Sequence, residues 1–487
     1  MTYTPSYDLN KKGLFSMLTY SFDHIDSDCL YIYLYKCIKN DILNGTLSAG
    51  TKLPSKRSFA KNLAVSTITI ENTYEQLQSE GYIYSIPKKG FYVTDLETLQ
   101  LPPEITAPVP SKESILYTKP QTDSYTVDLV SNKTSTDNFP FSIWAKLIRE
   151  TISTKSEELM TTPPCGGIWE LREAICHHLK DFRNMAVTPA QIIIGAGTEY
   201  LYGLLIQLLG FDKKYATENP GYQKLTKVYD SYHVSHHAIP MDQEGIQIES
   251  LVASGADIAH ISPSHHYPTG IVTSIKRRYD LLHWASQDAN RYIIEDDYDS
   301  EFRLSGKPIP ALQSIDQNEK VIYINTFTKS LSSTVRLSYM ILPQHLLKKF
   351  YERLRFYSCT VSNFEQYTLA RFLSKGYFEK HINRMRTHYK GIRDTFLQAL
   401  KKSPFASRIK ISEEDAGLHF LMYVDTALTD EALLEKAGKQ GLHLACLSQY
   451  YASGSSQIPA HTLVLNYSAL TQDSVSQAIK LLSRILC

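Results

Sequence analysis

Lys329 is the residue of this chain whose setting could support covalent chemistry. It follows the apolar run Val321-Ile322-Tyr323-Ile324 and is flanked by Thr326 and Thr328. A lysine just past a buried strand can form a Schiff base with an aldehyde, provided that burial and nearby cations such as Arg336 lower its pKa and free the amine. A second apolar run, Tyr292-Ile293-Ile294, ends in Glu295-Asp296-Asp297-Tyr298. Acids at the carboxyl end of a parallel strand point into the region where ligands bind. A third run, Ile192-Ile193-Ile194, turns through Gly195-Ala196-Gly197-Thr198 into a helix expected to begin near Glu199. Such a turn presents backbone N–H groups to an anion.

One ligand would use all of these parts. Pyridoxal 5′-phosphate (PLP) needs an acid on its pyridinium nitrogen so that the ring stays an electron sink, a role open to Asp296. Tyr298 could hydrogen-bond the 3′-oxygen, and Tyr222 could stack on the ring. Gly197, Thr198, Thr326, Thr328 and Arg336 could hold the phosphate through N–H groups, hydroxyls and a guanidinium. Other chemistries were weighed. His233, His236, His237, His265 and His266 invite a metal reading, but no acid or Cys completes a known ligand spacing, so no metal is expected. Asp296 and Asp297 could form a carboxylate pair, yet their place beside the lysine motif favours PLP. Most of the 33 tyrosines fall at helix or strand core positions, where packing accounts for them.

The elements that must position these residues divide the chain of 487 residues into three zones. From 125 to 487, apolar strands alternate with helical stretches, which predicts an α/β fold with a parallel-rich sheet. Residues 96–124 are rich in Pro, Thr and Ser, lack sustained periodicity and read as a linker. Residues 25–95 carry short helical periods. Leu30, Leu34, Cys37, Ile38 and Ile42 mark one helix, closed by Asn44-Gly45. Ser55 is a good N-cap for a second helix that buries Phe59 and Leu63. After Ala64-Val65, a third helix starts at Ser66-Thr67 and lines its inner face with Ile70, Tyr74 and Leu77. Tyr82-Ile83-Tyr84 and Phe91-Tyr92-Val93 then alternate as a hairpin, completing a winged helix-turn-helix.

Charge agrees with that plan. The whole chain balances 51 Lys and Arg against 50 Asp and Glu, so a DNA-binding surface must be local. Lys52, Lys56, Arg57 and Lys61 lie together, no carboxylate occurs between Asp41 and Glu71, and Lys88 and Lys89 mark the hairpin tip. These cations would meet phosphates, as would the Ser55 hydroxyl at the head of the second helix, while Ser66, Thr67 and Thr69 would lie at the groove. No basic start is followed by an apolar run, and no stretch approaches the ~20 apolar residues of a membrane helix. Seven scattered cysteines without a C-x-x-C pair suggest reduced thiols and a cytoplasmic protein with no membrane partner.

Leu53-Pro54-Ser55-Lys56-Arg57-Ser58-Phe59-Ala60, Val65-Ser66, Tyr74-Glu75-Gln76-Leu77 and Glu80-Gly81-Tyr82-Ile83 resemble the GntR family of bacterial regulators. Further along, Glu218-Asn219-Pro220-Gly221-Tyr222, Ser262-Pro263-Ser264-His265-His266-Tyr267-Pro268-Thr269-Gly270, Glu295-Asp296-Asp297-Tyr298 and Thr326-Phe327-Thr328-Lys329 resemble, in order, fold-type I aminotransferases. Together the two halves are similar to the MocR branch of GntR regulators. The resemblance implies a PLP-responsive, DNA-binding transcription regulator acting on a double-stranded operator as a head-to-tail homodimer, with PLP or a small amine or amino acid as effector. It implies Lys329 as the Schiff-base lysine, through whose aldimine the effector is sensed, and Arg57 and the start of the third helix as DNA contacts. Departures from the family are Thr67 where an Arg is common, Lys88-Lys89-Gly90 at the wing tip, Val464 where aminotransferases carry a carboxylate-binding Arg, Tyr267 for an Asn and Ser333 for a Pro. With Val464, either another cation such as Lys224 grips the effector or the effector is not a simple amino acid. These changes predict weak or no transaminase activity. The rival readings are an active aminotransferase with an accessory DNA-binding domain and a regulator that has lost its cofactor.

Overall fold

The computed structural model describes residues 18–22, 29–96, 125–131, 136–304, 309–415, 417–455 and 458–487. It separates into two compact units, Met1–Gln121 and Thr122–Cys487. Of the linker expected over 96–124, all but residue 96 lies outside the described residues.

In the small unit, α1 (Leu30–Leu43), α2 (Lys56–Leu63) and α3 (Thr67–Ser79) precede a hairpin of β1 (Ile83–Ile86) and β2 (Gly90–Val93). Helical spacing brings Leu34, Ile38 and Ile42 of α1 to one face, where they meet Phe59 and Leu63 of α2 and Ile70, Tyr74 and Leu77 of α3. Tyr74 is the pivot: its ring lies 6.1 Å from that of Phe59 and 5.0 Å from that of Phe91, and its hydroxyl donates to the Pro54 carbonyl at 2.9 Å. The turn between α2 and α3 is sharp because Ala64 takes the left-handed conformation at φ 55°. Ser55 and Ser66 cap α2 and α3, each accepting from a backbone N–H three residues on, Ser58 and Thr69. The hairpin is longer than the alternation suggested. Ile86 and Gly90 pair within it, so the tip narrows to Pro87-Lys88-Lys89, with Lys88 at φ 60°.

The large unit is built on an eight-stranded sheet. In chain order its strands are β3 (Ile192–Gly195), β4 (Tyr215–Asn219), β5 (His236–Asp242), β6 (Gly245–Ile246), β7 (Ile258–Ile261), β8 (Tyr292–Asp296), β9 (Val321–Thr326) and β10 (Ser338–Ile341). They lie in the order β3-β10-β9-β8-β7-β4-β5-β6. Pairing is parallel from β9 through β8, β7 and β4 to β5, and β10 runs antiparallel to both β3 and β9. The apolar runs are continuous because both faces of the sheet are covered. Alternation still sorts them: Ile192 and Ile194 face one core, Ile193 the other. Register does the positioning. Asp296 sits one residue beyond Glu295, opposite Tyr323, and pairs with Ile324; Thr326 pairs with Ser338, and Ser338 with Gly195. Asp296, Thr326 and Gly195 therefore share one end of the sheet, the carboxyl end of the parallel strands. A three-stranded antiparallel sheet of β11 (Ile409–Ser412), β12 (His419–Val424) and β13 (Thr462–Asn466) follows toward the C-terminus.

Candidate functional site

At the carboxyl end of the sheet lies a cavity of about 790 Å³. Thr198, Tyr222, Asp296, Tyr298, Thr326, Thr328, Lys329 and Arg336 all line it. Gly197 is absent from the wall itself but caps α4 (Thr198–Leu209) at φ 97°, the left-handed region that glycine tolerates. A Cβ there would meet Arg336 Nη2 at 2.2 Å, so the glycine also leaves room for the guanidinium.

Lys329 sits on the one-turn helix Phe327–Ser330, capped by Thr326, whose Oγ1 accepts from the Thr328 N–H at 3.1 Å and from Ser338 Oγ at 2.8 Å. Burial lowers the Lys329 pKa to about 8, and Asp299 acts in the opposite direction. The cation expected to help, Arg336, does not figure in that shift. It is instead paired with Glu199 Oε2 at 2.8 Å, and Glu199 also binds the Lys224 ammonium. Burial raises the Glu199 carboxyl, but Lys224 and Arg336 win and hold it at about 2. Lys224 is thus already engaged by a carboxylate.

Asp296 accepts a hydrogen bond from the Tyr202 hydroxyl and lies 3.7 Å from His260 Nε2 through the same oxygen. Its other oxygen, Oδ1, is buried without a hydrogen-bond partner. A buried carboxylate oxygen left open in a cavity is fitted to an N–H donor from a ligand. Tyr298 lies near His265, with its hydroxyl 3.3 Å from Nδ1, and burial raises its pKa well above the usual tyrosine range. Tyr222 precedes α5 (Gln223–Ser231) and remains 48% exposed at the mouth, its ring edge-to-face with that of Tyr267 at 6.2 Å. Asp297 is not a second acid for Asp296. Its carboxylate is buried against Arg183 at 2.6 Å and the Tyr323 hydroxyl at 2.6 Å. The histidines are likewise dispersed: His236 pairs with Asp230, His265 with Asp299, and His266 with Thr269.

Val464 on β13 is buried with Leu421 and Leu447, packed against Tyr267, Tyr450 and Tyr451. The Tyr267 and Tyr450 hydroxyls share a hydrogen bond of 2.7 Å. Sequence reasoning missed Tyr202, His260 and Glu199. Tyr202 was within reach, since it lies four residues after Thr198 on the same face of α4. His260 was not, because only the β7–β8 pairing brings it beside Asp296.

In the small unit, Lys52, Ser55, Arg57, Ser66, Thr67, Lys88 and Lys89 are exposed, whereas Lys56 and Thr69 are half-buried. Lys56 is tied to Glu71 at 2.7 Å, and the Ser66 and Thr69 hydroxyls are bonded to each other at 2.8 Å.

Fold and site together define a helix-turn-helix regulator joined to an aminotransferase-like body. The bacterial regulatory proteins, gntR family, match residues 30–93, and aminotransferase class I and II matches residues 125–480. The uncharacterized HTH-type transcriptional regulator YdeL of Bacillus subtilis is 35% identical over 93% of this chain and 95% of its own. The probable rhizopine catabolism regulatory protein MocR of Rhizobium meliloti is 29% identical over 92% of this chain and 91% of its own. A kynurenine aminotransferase of Pyrococcus horikoshii, solved with PMP, superposes with a TM-score of 0.66 at 23% identity, over 77% of this chain and 96% of that one. The chain belongs to the MocR subfamily of GntR transcription regulators, with a fold-type I aminotransferase domain as its larger part.

Proposed function

We propose that the large unit binds PLP at Lys329 and that PLP, or a small amine reacting there, shifts a homodimer between states of different affinity for its DNA operator. The gathering of Asp296, Tyr298, Tyr222, Thr198, Thr326, Thr328 and Arg336 around the Lys329 amine in one cavity carries this reading. When bound, the cofactor supplies an aldehyde carbon that takes up amines and a ring that withdraws electrons. Asp296 Oδ1 holds a proton at the ring nitrogen. Tyr298 donates to the 3′-oxygen, and Tyr222 covers the ring face from the mouth. Gly197, Thr198, Thr326, Thr328 and Arg336 bind the phosphate. Val464 is buried behind Tyr267, Tyr450 and Tyr451, which line the cavity and supply no cation where a transaminase would bind a carboxylate, and this favours sensing over turnover. In the small unit, Lys52, Lys56, Arg57, Lys88 and Lys89 meet phosphates, and α3 enters the major groove. Pairing of two copies is supported by large apolar side chains exposed on the large unit, Phe141, Met160, Trp169, Phe356 and Phe364.

The test loads the purified protein with PLP, reduces it with borohydride and maps the added mass by peptide mass spectrometry. The expected result is label on the peptide holding Lys329, lost in Lys329→Ala, together with a PLP-dependent change in footprint on the DNA upstream of its own gene. Equal labelling of Lys329→Ala at another lysine would sink the site. A footprint indifferent to PLP despite a labelled Lys329 would sink the sensing.

A further inference from the structure

Helix α3 turns Ile70, Thr73, Tyr74 and Leu77 into the core. At 3.6 residues per turn, the line directly opposite runs through Ile68, Asn72, Glu75 and Ser79. All four are exposed. Ile68 is 68% exposed, more than any other large apolar side chain described in the small unit. Its place is the second residue of α3, at the leading end of the element that a winged helix-turn-helix inserts into DNA. Asn72 follows one turn later and is its neighbour on that line. The Asn72 carboxamide carries no hydrogen bond to the rest of the described protein.

These two side chains have complementary partners on one kind of base pair. The C5-methyl of thymine is an apolar group on the floor of the major groove, and adenine presents N6 and N7 in the spacing that an asparagine amide matches with two hydrogen bonds. Guanine is most often read by Arg or Lys on O6 and N7, and the first two turns of α3 offer neither: Thr67, Ile68, Thr69, Ile70, Glu71, Asn72 and Thr73. The half-buried Lys56 nearby is held by Glu71. Glu75 stands a turn further back, where its charge opposes deeper entry of the helix among phosphates.

We infer that α3 reads A·T pairs, with Ile68 against a thymine methyl and Asn72 on an adenine edge. The inference rests on the small unit binding DNA and goes beyond it by naming the bases and the side chains that read them. Full-length, PLP-loaded protein is used to select duplexes from a pool with a randomised core. Deoxyuridine then replaces thymidine, one position at a time, in the selected duplex. One thymine per half-site is expected to lose about fourfold in affinity with its methyl group. Ile68→Ala should bind the thymine and uracil duplexes equally, and Asn72→Ala should lose at least fivefold and accept other bases at the adenine. Both positions are exposed, and an unchanged smaller thermal transition and helix content confirm the fold of the small unit. Selected sites without a methyl-sensitive thymine, or methyl discrimination surviving in Ile68→Ala, would overturn the inference while leaving DNA binding standing. Failure to enrich any duplex would overturn DNA binding itself.

Discussion

Lys329 holds its proton less firmly than a lysine in water, because burial strips solvent from the ammonium and Asp299 only partly offsets the loss. Its neutral form becomes abundant near pH 8 rather than near the ordinary 10.5. Uptake of PLP by the apoprotein, followed by stopped-flow absorbance, should accelerate through pH 8 and level off before pH 10. A rate flat across that range would show that the amine is not what titrates. The same depressed pKa has a stability sign. Between about 8 and 10.5 the unfolded chain carries the proton and the folded one does not, so this residue's contribution to stability rises with pH across that window. At this scale the sequence named the lysine, the acid and the two tyrosines, since each lies beside an apolar strand or a proline-glycine turn. It misjudged what surrounds Arg336. A guanidinium 137 positions from its carboxylate partner Glu199 finds it only through the antiparallel run of β10 back to β3.

The elements of the small unit were legible nearly to the residue, because Ser55, Ser66 and Gly81 punctuate a regular apolar period. What the punctuation did not show is how the hydroxyls are used. Ser55 caps α2 as read, but Ser66, read as a contact at the groove, likewise already accepts a backbone N–H at the start of its helix. Ser66→Ala should therefore loosen α3 by about 1 kcal/mol. In hydrogen exchange followed by mass spectrometry, amides in the first turn of α3 should then open roughly fivefold more often, with the large unit unchanged. Unchanged exchange in that turn would return Ser66 to a purely DNA-facing role. In the sheet, the continuous isoleucine runs gave away buried strands but not their neighbours. The crossing that seats β10 between β3 and β9 depends on long-range pairing that no local pattern encodes.

Two compact units, each with its own core, predict two events on heating. Scanning calorimetry of the whole chain should resolve a larger and a smaller transition. PLP at a hundredfold excess over its dissociation constant should stabilise the larger by about 2.7 kcal/mol and displace the smaller by much less. A single transition moving as one with PLP would mean that the units melt together. Glu199, which grips both Arg336 and Lys224, bears on how such an occupant is received. Two cations share a single carboxylate there, so the rim keeps a net positive charge and an incoming phosphate would compete with Glu199 for it. Capture would then be a contest between two anions for one guanidinium, with the lysine left to follow the acid.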